Sequence, residues 1–358
     1  MAEPRPLTIV FVSHTDAFGT FRVGSHHLAR EFARLGHRVL HISTPVSLVH
    51  RVLRRGEASR EEASRLGVIV DADGVSHLVP RTVLPAGAGG LPFARIFERV
   101  FGERCVDLVL VDQPTLWTSG LRHLVRTMVY RPTDLYEDGA KARFQRNALR
   151  TADAVVATST AVLDALPIPT GVPSMSLPNG VELDRFAHAD VAPRNDRAVY
   201  VGALDDRFDW DAVRSMAASA PAWSFDVYGP GRPPAEPLPR NVALRGTISY
   251  DDVPAVLRSA RIGVLPLSNA PVNRGRSPMK LYEYLASGLT VVTRETEVLL
   301  DRPQLGVFGY GNTRDAGEAM AAAVSADSPN RPGMVAADEE GWPGKARRLL
   351  DFALEGRR

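Results

Sequence analysis

Asn273–Thr293, NRGRSPMKLYEYLASGLTVVT, places a polar loop, a helix and a strand in direct succession. Ser277 stands where a capping hydroxyl is favoured, and Pro278 at the first helical position, where its missing N–H costs nothing. The helix is expected to run to Ser287 and stop at Gly288, which can take the left-handed conformation. A β-branched strand should follow over Thr290–Thr293. Met279, Tyr282, Leu285 and Ala286 recur at helical spacing and predict a buried stripe. Lys280, Glu283 and Ser287 fall on a second, polar stripe.

Lys280 lies in the first helical turn, where the macrodipole favours an anion over a cation. An anion held jointly by the ammonium and the free N–H groups of that turn removes the conflict. The chain has three lysines (Lys141, Lys280, Lys345) against 40 arginines, so a lysine here marks a place for a compact point charge. The competing reading is a solvated surface lysine.

On either side of this stretch, short apolar runs alternate with amphipathic segments, the pattern of parallel sheets covered by helices. In the first half, strands are expected at 7–12, 38–42, 68–70, 107–111, 127–130 and 154–158. Helices are expected at 23–35, 93–101, 116–124 and 137–149. In the second half, strands are expected at 198–201, 224–228, 242–245, 262–265, 290–292 and 306–308. Helices follow at 316–326 and 341–354, with a loop between them. The turn-rich PIPTGVP, 167–173, reads as a linker, giving domains over 1–172 and 173–340.

Bulk composition agrees with two globular domains. The chain has 358 residues, 44% hydrophobic and 23% charged, with a net charge of +2. Its 43 basic residues are scattered, which argues against nucleic acid as a partner. The single cysteine, Cys105, excludes an internal disulfide and is expected as a small buried group in a reducing compartment. No apolar run approaches bilayer length and the N-terminus lacks a signal-peptide layout, so the expected location is the cytoplasm.

The stretch SPMKLYEYLASGL resembles the donor-binding helix of GT-B glycosyltransferases, with its Pro-x-Lys-x-x-Glu pattern. That resemblance implies an α/β fold of two Rossmann-like domains with parallel sheets facing across a cleft. It also implies that Ser277, Pro278, Met279 and Lys280 meet the diphosphate of a nucleotide sugar, and that Glu283 takes the ribose hydroxyls. Retaining members carry a further Glu eight residues before this one, where this chain has Gly275. The implied reaction is therefore inverting, and needs no metal or other cofactor. LPNGVELDRF (177–186) and the run 241–267 resemble further parts of the same family's second domain. The terminal helix is expected to cross back to the first.

Ligands in such folds gather outside the carboxyl ends of strands, which selects the loops to inspect. The loop after the first strand lacks the G-x-G-x-x-G spacing of a dinucleotide fold, disfavouring a dehydrogenase. It offers His14, Asp16 and Arg22 as cleft residues, or as loop residues satisfied by backbone. YRPTD, 130–134, is similar to a segment of bacterial glucuronosyltransferases of xanthan assembly, and implies Asp134 as general base. The alternative is Asp134 as N-cap, with Glu137 completing a capping box. Arg207, after the first strand of the second half, is a candidate for the donor phosphates. Gly229, in DVYGPG, offers close backbone approach to a nucleobase.

Asp209-Trp210-Asp211 matches the Asp-x-Asp triplet that binds metal in the other large glycosyltransferase fold, but its place at a helix start reads better as capping. Val46–Arg55 and Ala94–Arg104 mix aliphatic residues with arginine at helical spacing. They are either helices packed on the sheet or a peripheral membrane contact suited to a lipid-linked acceptor. The acceptor is otherwise a small-molecule glycan, and UDP is the expected nucleotide. A nucleotide-sugar epimerase of the same fold and a silent nucleotide-sugar-binding subunit are the rival readings.

Overall fold

The computed structural model describes residues 5–19, 21–49, 58–136, 138–187, 194–270, 273, 275, 277–301 and 305–355. The chain forms two compact units: Met1–Pro178 with Lys345–Arg358, and Asn179–Gly344.

The first unit holds β1 (Thr8–Val12), β2 (Arg38–Ile42), β3 (Val46–Ser47), β4 (Val68–Val70), β5 (Ser76–Leu78), β6 (Arg81–Thr82), β7 (Val106–Val111), β8 (Val125–Tyr130), β9 (Ala154–Ala157) and β10 (Ser174–Ser176). Eight of these make one sheet in the order β10-β9-β8-β7-β1-β2-β5-β4, parallel except for β4 against β5. β1 and β7 are buried along their whole length, so they read as unbroken apolar runs instead of alternating ones. Val10, Val12, Leu40, Val109, Met128 and Tyr130 meet Phe93, Phe97 and Phe101 in one core cluster.

The second unit holds β11 (Asn195–Val201), β12 (Ser224–Tyr228), β13 (Val242–Gly246), β14 (Ala260–Leu265), β15 (Thr290–Arg294) and β16 (Val307–Tyr310). They form a wholly parallel sheet in the order β13-β12-β11-β14-β15-β16. Successive side chains of β11 supply opposite faces, as strand geometry requires. Ala198 and Tyr200 join Met216, Phe225 and Met320, while Val199 and Val201 join Leu257, Leu281, Tyr284 and Leu285. In both sheets strand order reverses at one point, between β1 and β7 and between β11 and β14. The loops leaving the carboxyl ends there are the ligand positions of doubly wound folds.

Several expectations change. The predicted helix 116–124 is a 3-10 turn, Pro114–Leu116, and a short helix, Ser119–Arg122, because Thr118 breaks the run and caps the second piece (Leu121 N–H to Thr118 Oγ1, 3.2 Å). The turn-rich 167–173 is not the domain boundary. β10 follows it and pairs with β9, so the first unit continues to Pro178. The stretch after helix Ala316–Val324 is not all loop. Asn330 accepts the Gly333 N–H (3.0 Å) and starts a helix over Arg331–Asp338. Cys105 is exposed, in the turn that follows Gly102 at the end of the helix Phe93–Phe101.

That helix carries most of the predicted segment Ala94–Arg104 and buries Phe93, Phe97 and Phe101 in the core cluster, as a helix packed on the sheet does. Of Val46–Arg55, the first two residues form β3, and 50–55 lie outside the described residues. No helix among the described residues is long and apolar enough to cross a membrane.

Gly229 follows β12 at φ +143°, and a Cβ there would stand 1.7 Å from the Gly202 carbonyl oxygen. Gly36, at φ +85°, would meet nothing within 4 Å. Gly229→Ala should therefore cost about 3 kcal/mol or more through strain and displacement of the β11 end. Gly36→Ala should cost about 1 kcal/mol from backbone conformation alone. Chemical denaturation of the two variants checks the ranking, and equal losses would contradict it.

Candidate functional site

In the second unit the helix Met279–Ala286 follows β14 by a long loop and begins beside the point where strand order reverses. Its N-cap is Pro278, in extended conformation, with no side chain capping it. Ser277 is not the cap because its hydroxyl already accepts the Asn179 N–H (3.1 Å), while Asn179 Nδ2 donates to the Ser277 carbonyl (2.8 Å). The two-stripe expectation also fails. Leu281, Tyr282, Glu283, Tyr284, Leu285 and Ala286 are all buried, whereas Met279 is half-buried.

This packing depends on two glycines. A Cβ on Gly263 would meet the Tyr284 ring at 2.2 Å, so glycine in β14 lets the tyrosine lie flat on the sheet. Its hydroxyl accepts the Val201 N–H at 3.0 Å. A Cβ on Gly202 would stand 2.5 Å from Lys280 Cε and 2.7 Å from the Tyr200 hydroxyl. The lysine thus lies along the backbone at the end of β11, with Nζ 5.9 Å from the centre of the Tyr200 ring.

Glu283, one turn further on, is only 8% exposed. Burial, chiefly, pushes its carboxyl from 4.5 up to about 7; Lys280 and Arg185 oppose the rise and Glu182 adds to it. Glu182 in turn accepts the Tyr250 hydroxyl (3.2 Å) and Arg185 Nε (3.4 Å). A buried carboxyl on a helix beside an ammonium is equipped to receive hydroxyl groups and, next to them, an anion.

Arg207 and Lys280 line one small cavity together with Tyr200, Phe208 and Leu267. The Arg207 guanidinium lies against Asp205, its Nε 2.9 and 3.0 Å from the two carboxylate oxygens. Gly229, already described, presses on Gly202 at the next strand end. Asp209 caps the helix Trp210–Ser219 through the Ala212 N–H (2.9 Å) and receives Arg294 Nη2 (3.0 Å) and Thr313 Oγ1 (2.8 Å). Its carboxylate is taken up by capping and pairing, as the helix-start reading of the Asp-x-Asp triplet requires.

In the first unit, the ends of β1 and β7 bring Ser13, His14 and Asp112 together. Asp112 and Arg131 form a buried two-point pair (Nε–Oδ1 3.0 Å, Nη2–Oδ2 3.1 Å), and burial raises the Asp112 carboxyl against the pull of Arg131. Burial likewise lowers His14, against the opposing charges of Asp112 and Asp134. His14 Nε2 is buried with no hydrogen-bond partner among the described residues. Asp134 is half-buried, 3.4 Å from the Thr133 hydroxyl. It is not a helix cap, because the next helix is Gly139–Thr151 with Asp138 at the cap position; Glu137 lies outside the described residues.

Asp16 and Arg22 build their own loop. Asp16 accepts the Phe18 N–H (3.0 Å) and faces Arg60 Nε (3.7 Å), and Arg22 donates to the Ala17 carbonyl. Sequence reasoning missed Asp112, Arg131, Asn179, Glu182 and Tyr250. Asp112 and Arg131 had a usable signal, since each directly follows a largely apolar strand.

Across 98% of both chains the structure resembles sucrose-phosphate synthase from Thermosynechococcus elongatus (TM-score 0.72, 15% identity). It also resembles a glycosyltransferase from Rickettsia africae (0.70, 15%, covering 99% of this chain and 100% of that one). A third similar structure is HepE of Anabaena in complex with UDP-glucose (0.69, 14%, covering 98% and 100%). The fold is that of the GT-B glycosyltransferases. Residues 195–326 match the family described as Glycosyl transferases group 1. A Bacillus subtilis (strain 168) protein named for a glycosyltransferase role in teichuronic acid biosynthesis, TuaH, is 30% identical over 130 residues. That match spans 32% of this chain and 32% of the relative, about a third of its length.

The Glu283 carboxyl gives the site a pH signature. Between 4.5 and about 7 the folded chain holds a proton that the unfolded chain has released, so stability falls as pH rises through that window. Glu283→Gln keeps the neutral shape at every pH. The variant should gain on the native chain from pH 5 to 8, by about 3 kcal/mol at full amplitude. Urea unfolding across that range checks this, and a pH-independent difference would contradict it.

Proposed function

We propose that the chain is a glycosyltransferase that moves a sugar from a UDP-sugar to an acceptor hydroxyl with inversion and without a metal ion. The observation that carries the reading is Lys280, laid along Gly202 where the strand order reverses, one turn before the buried Glu283. The fold and the family match over 195–326 support it, as does the structural likeness to a protein crystallised with UDP-glucose.

In this reading the ribose hydroxyls donate to Glu283. The diphosphate is met by Lys280, the N–H groups at Met279 and Lys280, and Arg207 after it exchanges Asp205 for phosphate. Gly229 packs on Gly202 and gives its N–H to the Gly246 carbonyl (2.8 Å), so it shapes the strand end and is not assigned to the base. The acceptor oxygen attacks the anomeric carbon as its proton passes to Asp134. The bond from that carbon to the phosphate oxygen breaks, and UDP departs with the electron pair. Charge growing on the leaving phosphate is what Lys280 stabilises most.

A second assignment of the base has a specific observation behind it: the buried Nε2 of His14 has no hydrogen-bond partner among the described residues, and burial disfavours its charged form. Two variants separate them. Asp134→Asn should lower transfer at least about 100-fold while leaving the UDP dissociation constant unchanged, and His14→Asn should lower it less. The reverse ranking assigns the base to His14. For the donor site, Lys280→Ala should weaken UDP binding about tenfold or more by calorimetry, with uridine little affected. Unchanged UDP affinity would end the diphosphate assignment.

A further inference from the structure

The loops that leave β11 and β14 flank the point where the second sheet reverses its order, and they are tied to one another. The Asp209 N–H donates to the Pro266 carbonyl (2.8 Å), and the Ser268 N–H to the Arg207 carbonyl (2.8 Å). The Ser268 hydroxyl donates to the Asp206 carbonyl (2.7 Å). At the centre of this seam is Asn273, only 3% exposed. Its Nδ2 reaches the Arg207 carbonyl (3.2 Å), the Ser268 carbonyl (2.9 Å) and the Ser268 hydroxyl (3.3 Å), and its own N–H donates to the Ala270 carbonyl (2.9 Å). One amide therefore fixes the main chain beneath Arg207 to the loop that leads into the helix of Lys280.

We propose that Asn273 is the positioning residue that sets Arg207 against Lys280, so that both cations face one diphosphate. The inference rests on the donor site described above and adds to it the part that holds its two charges in register. Arg207 is on a loop and has an alternative partner in Asp205, so its backbone must be fixed for the guanidinium to be presented to phosphate at all. Buried side-chain amides that bridge main-chain carbonyls give such rigidity, because leaving those carbonyls unpaired is costly. Asn273 Oδ1 has no partner among the described residues, so the Nδ2 side carries the described side-chain bonds.

The test is a double-mutant cycle on the whole chain, read as dissociation constants for UDP and for uridine. Asn273→Ala should weaken UDP about tenfold and uridine less than about twofold, since only the phosphate contacts are lost. Arg207→Ala should do the same, and the double variant should be no weaker than Arg207→Ala alone, because Asn273 acts through Arg207. Ser268→Ala, which removes one partner of the same amide, should give a smaller loss in the same direction and serves if Asn273→Ala does not fold.

Equal losses for UDP and uridine, additive losses in the cycle, or an unchanged UDP constant in Asn273→Ala or Ser268→Ala would overturn the proposal. An Arg207→Ala variant that binds UDP as the native chain does would overturn it too, while leaving Lys280 and Glu283 as the donor site. If the native chain binds no UDP, the donor site itself is refuted.

Discussion

An ammonium and a buried carboxyl one helical turn apart, on a helix packed on nearly every side, are the constraint around which the second unit is arranged. Burying Glu283 is costly, and burial accordingly pushes its carboxyl up. Lys280 and Arg185 offset part of it, and Glu182 makes it worse. A purely structural helix would be better served by an apolar residue there, since replacing buried charge with packed hydrocarbon is often neutral or stabilising. The arrangement makes sense when a ligand bearing hydroxyls and an anion completes it.

The backbone cooperates through absences. Gly263 admits Tyr284 to the sheet, Gly202 admits Lys280 to the end of β11, and Gly229 lets the next strand end close on Gly202. Three positions without a Cβ thus bring a helix, two strand ends and a cation within reach of one another. In the first unit the same topology, a reversal of strand order between β1 and β7, collects Asp112, Arg131 and His14. There the charges are already matched. The two-point Asp112–Arg131 pair is nearly solvent-free, and burial beside it disfavours the charged form of His14.

Much of this was legible in the residues, and what was not has a physical cause. Fully buried parallel strands announce themselves as apolar runs, so nearly all of those in the two large sheets were placed to within a few residues. The helix 279–286 was visible from its spacing, and Asp209 from its place before a helix. Short strands such as β5 and β10 carry too few residues to show a period. The true partner of Ser277 is Asn179, about a hundred residues away, and no local pattern can report it. Glu283 looked solvated because it shares a stripe with two polar residues, Lys280 at i−3 and Ser287 at i+4. It is buried, and the charges that act on it include Glu182 and Arg185, from another element. The Asp112–Arg131 pair was hidden for the same reason: each member sits at the end of a different strand.

In the proposed donor site, Lys280 and the start of its helix hold a diphosphate while Glu283 holds the ribose. A crystal of the chain grown with UDP tests it most directly. Phosphate oxygens are expected within hydrogen-bond distance of Lys280 Nζ and the Met279–Lys280 N–H groups, with both ribose hydroxyls on the Glu283 carboxylate. A nucleotide bound elsewhere, or one whose ribose turns away from Glu283, would contradict it.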